Sequence, residues 1–442
     1  MFYPGDARSL AAEVDELLGG VEQLSPRLGF PKALVVPHAG YIYSGPVAAR
    51  AYDDLAAARG IVRRVVLLGP VHRVAVRGLA LPAADAFATP LGTVPIDMDA
   101  VRAVQDLPQV VKSDPAHALE HSLEVQLPFL QKMLGEFALV PFAVGMASVE
   151  EVAQVIERLW GGPETLVIVS TDLSHYHAYD EATRIDRSTI TRIAGFATNL
   201  DHEEACGATP LNGLLSVARK NRLSIKLLSA CNSGDTAGGK GQVVGYSAFA
   251  LHEGGEVSLE RAGDTLLAIA RGAIESALSG KQRPEPDFEL WLKQAGATFV
   301  TLEKDGALRG CIGSLEAVRP LGIDVAENAL AAAQRDPRFT PMSAAEWPRC
   351  RVEVSLLSAP KPMRFADEAD LLAQIRPGED GVIIEADGRR ATYLPQVWEA
   401  IPDTKLFLEE LKRKAGIPPD TRLGRCKVLR YRVVKWTEKT TH

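Results

Sequence analysis

Four short apolar runs in the 442-residue chain each lead into a residue able to bind a metal ion or move a proton. His38 follows residues 33–36 in Pro37-His38-Ala39-Gly40. His72 follows 65–68 in Gly69-Pro70-Val71-His72. Asp172 and His175 follow 166–169, and Cys231 follows 225–228. Flanking Gly and Pro, as around His38 and His72, let the chain turn sharply so that the side chain faces a cleft. Two imidazoles and a thiolate form a facial set for a divalent transition metal, with positions left for substrate or dioxygen. Ligand type alone leaves zinc, iron and copper open. Asp172 is expected to hold the His175 imidazole in one tautomer, making His175 a general acid or base.

A competing motif is His117-Ala118-Leu119-Glu120-His121, which fits the H-x-x-E-H pattern of inverted zinc peptidases. On a helix, its i, i+4 spacing would put both imidazoles on one face. Three fixed positions in a long chain are a weak signal, and the sequence favours His121 or Glu124 as extra pocket residues. Cys206, shortly before Pro210, reads as a small buried residue near a helix start. His177 and His202 receive no role. Gly238-Gly239-Lys240-Gly241 lacks the spacing and the following helix of a phosphate loop.

The elements that must position these residues are strands alternating with helices. The runs at 33–36, 65–68 and 166–169 are apolar throughout, as in strands buried on both faces, and 225–228 and 243–251 are expected as further strands of the same sheet. Helical spacing covers 7–19, 150–159 and 210–220. This alternation predicts a mostly parallel, layered α/β domain, in which ligands collect outside the carboxyl ends of the strands. A turn signal at Glu253-Gly254-Gly255 and a cap at Ser258 place a domain boundary near 254–258, giving domains of 1–255 and 256–442. The second domain is expected to hold strands near 298–303, 351–357, 381–385 and 428–436. Its helices are expected at 258–278, 315–334 and 406–415, with a Pro- and Glu-containing stretch at 283–287.

Composition narrows the function classes. The 49 Lys and Arg against 56 Asp and Glu leave a net charge of −7, which argues against a nucleic-acid partner. Five Cys are too few for a disulfide scaffold. No run approaches the length of a membrane span, and the first residues do not read as a targeting segment. The expected setting is cytoplasmic.

The pieces P-H-A-G-Y-x-Y-S-G at 37–45, L-G-P-x-H at 68–72, E-H-S-x-E-x-Q-L-P-F at 120–129 and S-T-D-L-S-H-Y at 170–176, with the region around Cys231, resemble the Memo family over about residues 1–253. That fold is similar to the LigB-like class III extradiol dioxygenases, non-haem iron enzymes that open aromatic rings. The resemblance implies His38, His72 and Cys231 as metal ligands, His175 as acid/base and Fe(II) as the cofactor, with copper or zinc as alternatives. The dioxygenases have a carboxylate where Cys231 would stand, and a thiolate is softer and more oxidisable, so ring opening does not simply carry over.

In the second half, Leu308-Arg309-Gly310-Cys311-Ile312-Gly313 is the sharpest motif. Gly310 and Gly313 permit close approach on either side of Cys311, and Arg309 is placed to stabilise a thiolate. Glu346 and Glu353 are candidate partners for Arg309, while Cys350 and Cys426 read as packing. With Asp336-Pro337-Arg338-Phe339-Thr340-Pro341 and Leu394-Pro395-Gln396-Val397-Trp398, the motif resembles the AMMECR family domain, which implies an α+β fold over about 258–442. A Memo–AMMECR fusion resembles the AmmeMemoRadiSam system, implying a radical SAM protein as partner. Two functions follow as expectations: a metal-dependent redox enzyme acting on a small molecule, or a ligand- or peptide-binding scaffold for that partner.

Overall fold

Alternate residues of the apolar runs pack on opposite sides of one sheet. Leu34, Val36, Leu67 and Ile168 join one core cluster; Val35, Val66, Leu68 and Val169 join the other. A strand covered on both faces must be apolar at every position, which is why these runs show no polar alternation. The computed structural model describes residues 2–22, 26, 28–254, 257–280 and 289–439. It divides into two units, Met1–Val21 with Phe30–Glu256 and Glu22–Gly29 with Val257–His442. The predicted boundary falls partly on residues outside the described set, and the predicted stretch 283–287 lies wholly outside it.

The strands of the first unit are β1 (Ala33–Val36), β2 (Arg64–Pro70), β3 (Leu79–Leu81), β4 (Ala86–Thr89), β5 (Gly92–Pro95), β6 (Val110–Lys112), β7 (Ala138–Val144), β8 (Thr165–Ser170), β9 (His175–His177), β10 (Ser224–Asn232) and β11 (Val243–His252). Their main order is β10-β11-β1-β8-β2-β7-β3-β6, with β9 on β11 and β4–β5 a separate hairpin. The centre, β1-β8-β2-β7, is parallel. β11 is antiparallel to β1 and β10 to β11, so the sheet is mixed. The carboxyl ends of β1, β8 and β2 therefore lie side by side, and that edge carries His38, Asp172 and His72. The helices Ala7–Gly19, Val149–Arg158 and Ala208–Lys220 form where helical spacing predicts them, the second with a capping box on Ser148 and Glu151.

The second unit is α+β. β12 (Ala295–Lys304), β13 (Ala307–Gly313), β14 (Arg319–Pro320), β15 (Cys350–Leu357), β16 (Lys361–Pro362), β17 (Gly381–Ala386), β18 (Arg389–Tyr393), β19 (Lys427–Tyr431) and β20 (Val433–Thr437) make two antiparallel sheets, ordered β13-β12-β15-β20 with β14 on β12, and β16-β19-β17-β18. The helices Leu259–Ser279 and Leu321–Gln334 cover the first sheet through Leu266, Ala270, Val325 and Ala329. Two expectations shift here. The predicted strand 428–436 breaks at Arg432, whose amide donates to Ser358 Oγ at 2.9 Å. The predicted helix 315–334 begins only at Leu321, because Arg319 precedes a proline and pairs in extended form with Gly296. Among the described residues, no helix is long and apolar enough to cross a membrane.

Candidate metal centre

Three imidazoles converge at the shared strand edge. Ligand atoms of His38, His72 and His121 all lie within 4.8 Å of one another. His38 and His72 leave β1 and β2 directly. His121 arrives from a turn that packs beneath β2, where Ser122 Oγ donates to Pro70 O at 2.9 Å. A Cβ on Gly69 would sit 2.6 Å from Ser122 Oγ, so the glycine is what admits the turn.

The hydrogen-bond network fixes the tautomer of His38. Ser170 Oγ donates to the Ser122 carbonyl at 2.7 Å, which uses its only proton. It must therefore accept from His38 Nδ1–H at 2.8 Å, as it does from Gln126 Nε2 at 2.9 Å. Nε2 of His38 is left with its lone pair. His72 is fixed likewise, with its Nδ1 donating to Glu120 Oε1 at 2.9 Å. Glu120 also accepts the amides of His72, His121 and Ser122. Burial opposes its ionisation, but the His72 ring and the amides of Ser122 and His72 outweigh it and pull the carboxyl down to about 2. Burial, with His72 nearby, pushes His38 down to about 3; burial and then His38 push His121 down to about 4. These two rings are therefore neutral near pH 7, the form that binds a metal. His121 Nδ1 is buried without a hydrogen-bond partner among the described residues. Three imidazoles converging on one point, two of them with anchored Nδ1 atoms and free Nε2 lone pairs, fit a cation.

The expected ligand Cys231 does not join this group. It lies on β10, opposite Tyr246 of β11, and β11 separates it from β1. Its thiol is pushed up to about 11 by burial and by Asp235. The thiol at the centre belongs instead to Cys206, whose Sγ lies 3.4 Å from His38 Nε2 and accepts the Asp172 amide at 3.3 Å. Burial, then Asp172, pushes that thiol up to about 12. In the sequence Cys206 reads as packing, and its one usable signal is its place just ahead of the helix Ala208–Lys220.

Asp172 is buried at the same edge, and burial raises its carboxyl above the ordinary value. It does not orient His175 as expected. Its Oδ1 accepts the His38 amide at 2.7 Å, while His175 Nδ1 donates to the Leu173 carbonyl at 2.8 Å. That bond leaves Nε2 of His175 as a base. Glu124 is exposed and accepts a hydrogen bond from Tyr3 Oη. The H-x-x-E-H reading fails on geometry. The helix Asp114–Ala118 ends before Glu120, and His117 Nε2 donates to Ala80 O at 2.9 Å, away from the centre. A cleft of about 550 Å3 opens beside the imidazoles, lined by His72, Arg73, Val74, Met146, His202 and Cys206 among others.

In the second unit, Arg309 donates from Nε to Glu346 Oε1 and from Nη2 to Thr340 O, both at 2.8 Å, while Glu353 pairs with Lys435. The guanidinium at Cys311 is Arg338, which donates to the Cys311 carbonyl at 3.2 Å; Thr301 Oγ1 donates to Cys311 Sγ at 3.4 Å. Gly310 and Gly313 are packing requirements, since a Cβ would lie 2.2 Å from Ala332 O and 2.2 Å from the Phe299 ring.

Comparison with known proteins bears on the same division. Residues 1–250 match the family model for Memo-like protein, and 267–436 match the model for AMMECR1. A MEMO1 family protein of Methanopyrus kandleri is 35% identical over 57% of this chain and 96% of its own length. One of Aquifex aeolicus is 35% identical over 55% and 94%. Among solved structures, an uncharacterized protein of Pyrococcus horikoshii aligns with a TM-score of 0.37 at 35% identity, covering 40% of this chain and 91% of its own. An uncharacterized protein of Escherichia coli K12 aligns at 0.36 and 15% identity, covering 50% and 100%. Because the first match spans more than half of its length, the chain belongs to the Memo family, here fused to an AMMECR1 domain.

Proposed function

We propose that the first unit is a metal-dependent oxidoreductase of dioxygenase-like type, holding Fe(II) on His38, His72 and His121 and acting on a small acidic molecule. The observation that carries this reading is the convergence of three imidazole nitrogens within 4.8 Å, with two of the rings locked in the tautomer that frees Nε2. A divalent ion held there supplies Lewis acidity, with open positions for a chelating substrate or dioxygen. His175 takes a substrate proton at Nε2 while Leu173 O holds its Nδ1–H. Asp172 anchors the His38 backbone and places a carboxyl oxygen 3.9 Å from His38 Nε2. Along the cleft, Val71, Val74 and Met146 give an apolar wall. Arg73 forms no ion pair among the described residues and is free to meet a carboxylate or phosphate.

The test is oxygen uptake by the anaerobically Fe(II)-loaded protein, presented with hydroxylated aromatic acids and their uncharged counterparts. Saturable uptake with the acids is expected. His175→Ala should abolish it while keeping the metal, and Arg73→Ala should raise KM about tenfold with kcat little changed. Absence of uptake with every compound, or zinc as the ion the purified protein retains, would overturn the redox reading.

A further inference from the structure

His38 and His72 are each oriented by a hydrogen bond that Nδ1–H donates, to Ser170 Oγ and Glu120 Oε1 respectively. The His121 ring makes no such bond among the described residues. Its Nδ1 lies 3.4 Å from Glu120 Oε1 but without hydrogen-bond alignment. That oxygen already accepts the His72 ring and the amides of His121 and Ser122. What holds His121 is packing. Phe2 stacks on it with centroids 4.2 Å apart and planes within 14°. The His72 ring lies at 5.0 Å and 25°, and the His38 ring meets it edge-on at 5.4 Å.

Phe2 is itself tied down. Its carbonyl accepts the Tyr41 amide at 2.8 Å, on the first turn of the helix that follows His38. Tyr3, next in sequence, donates its hydroxyl to Glu124, three residues beyond His121. Glu124, singled out by sequence as a pocket residue, is thus the latch for this segment. Two contacts tie residues 2–3 to the turn that carries the third imidazole, and a third ties them to the helix after His38.

We propose that the Phe2–Tyr3 segment is a strap that positions His121 for metal binding, with Phe2 stacking in place of the hydrogen bond that anchors each of the other two imidazoles. The inference rests on the metal-centre reading above. Aromatic stacking restrains the plane of the ring, whereas a hydrogen bond restrains one nitrogen. The strap also couples the outer surface to the centre, since Phe2 is 38% exposed. Lifting it uncovers one face of a ligand.

Two measurements separate the strap from the metal centre. In the metal-free protein, selectively labelled histidine should give a His121 ring resonance shifted by the Phe2 ring current. Phe2→Ala should abolish that shift and leave His175 unmoved; Phe2→Trp should preserve a shift. In cobalt titrations, Phe2→Ala should lose about tenfold in affinity, Tyr3→Phe less, and Phe2→Trp should recover most of the loss. Unfolding temperatures close to the parent's would show that the fold is intact. An unshifted His121 resonance in the parent, or cobalt affinity unchanged in Phe2→Ala, overturns the strap. A parent that shows the ring-current shift yet binds no cobalt overturns the metal-centre reading and, with it, a role for the strap in metal binding.

Discussion

Nδ1 of His38 lies 2.8 Å from Ser170 Oγ, and the hydroxyl proton of Ser170 is already committed to the Ser122 carbonyl. One serine thereby sets the tautomer of a buried imidazole and joins β8 to the turn carrying His121. Ser170→Ala leaves His38 Nδ1–H without its acceptor and frees one Gln126 amide proton. We expect a stability loss of about 1–3 kcal/mol and a metal affinity lower by about tenfold to a hundredfold. Thermal unfolding and metal titration read the two effects, and an unchanged affinity would contradict the tautomer argument.

Glu120 separates the metal-centre account from a peptidase. As a general base beside zinc, its replacement by glutamine would abolish turnover and spare the metal. Here the carboxylate accepts four N–H groups, and an amide offers only one oxygen to share among them. Glu120→Gln is expected to destabilise the first unit by about 2–3 kcal/mol and to weaken metal binding together with it. Retention of full metal affinity would point back to a catalytic carboxylate.

The pH dependence follows from His38, His121 and Glu120. Both imidazoles sit below their ordinary value of 6.5, at about 3 and about 4. As pH falls through 6.5, the unfolded chain takes up protons that the folded protein refuses, so stability is lost towards pH 4. Each imidazole contributes a slope of about 1.4 kcal/mol per pH unit in that window. Glu120, depressed from 4.5 to about 2, adds stability that is present above pH 4.5 and lost below it. All three have the same sign. Denaturant unfolding of the metal-free protein at pH 7 and pH 5 should show the first unit weaker at pH 5; equal stability would contradict the neutral-imidazole assignment.

Much of this architecture was legible in the sequence, and the exceptions have physical causes. β1, β2 and β8 are buried on both faces, so uninterrupted Val, Leu and Ile mark them, and His38 and His72 follow them at once. β7 escaped because Pro141 interrupts it. Pro141 is tolerated since β3 pairs only with Val144 and Ala143, leaving that side of the proline without a ladder to feed. Cys231 also ends a strand, but chain order does not reveal sheet order, and β11 intervenes. His121 looked helical because its i, i+4 partner is a histidine; a turn under Gly69, visible only in three dimensions, takes it to the centre. Cys206 reaches His38 across 168 positions of sequence, a closure no local pattern announces. In the second unit, the Arg309–Glu346 pair was among the expected options, whereas Arg338 at Cys311 was not.

The most direct test of the central claim is metal stoichiometry after anaerobic loading with Fe(II), measured on the parent, His121→Ala, His117→Ala and Cys231→Ser. The three-imidazole centre predicts near-stoichiometric iron in the parent, His117→Ala and Cys231→Ser, and loss of iron in His121→Ala. Iron retained by His121→Ala but lost from Cys231→Ser would contradict it, as would a parent that holds no metal at all.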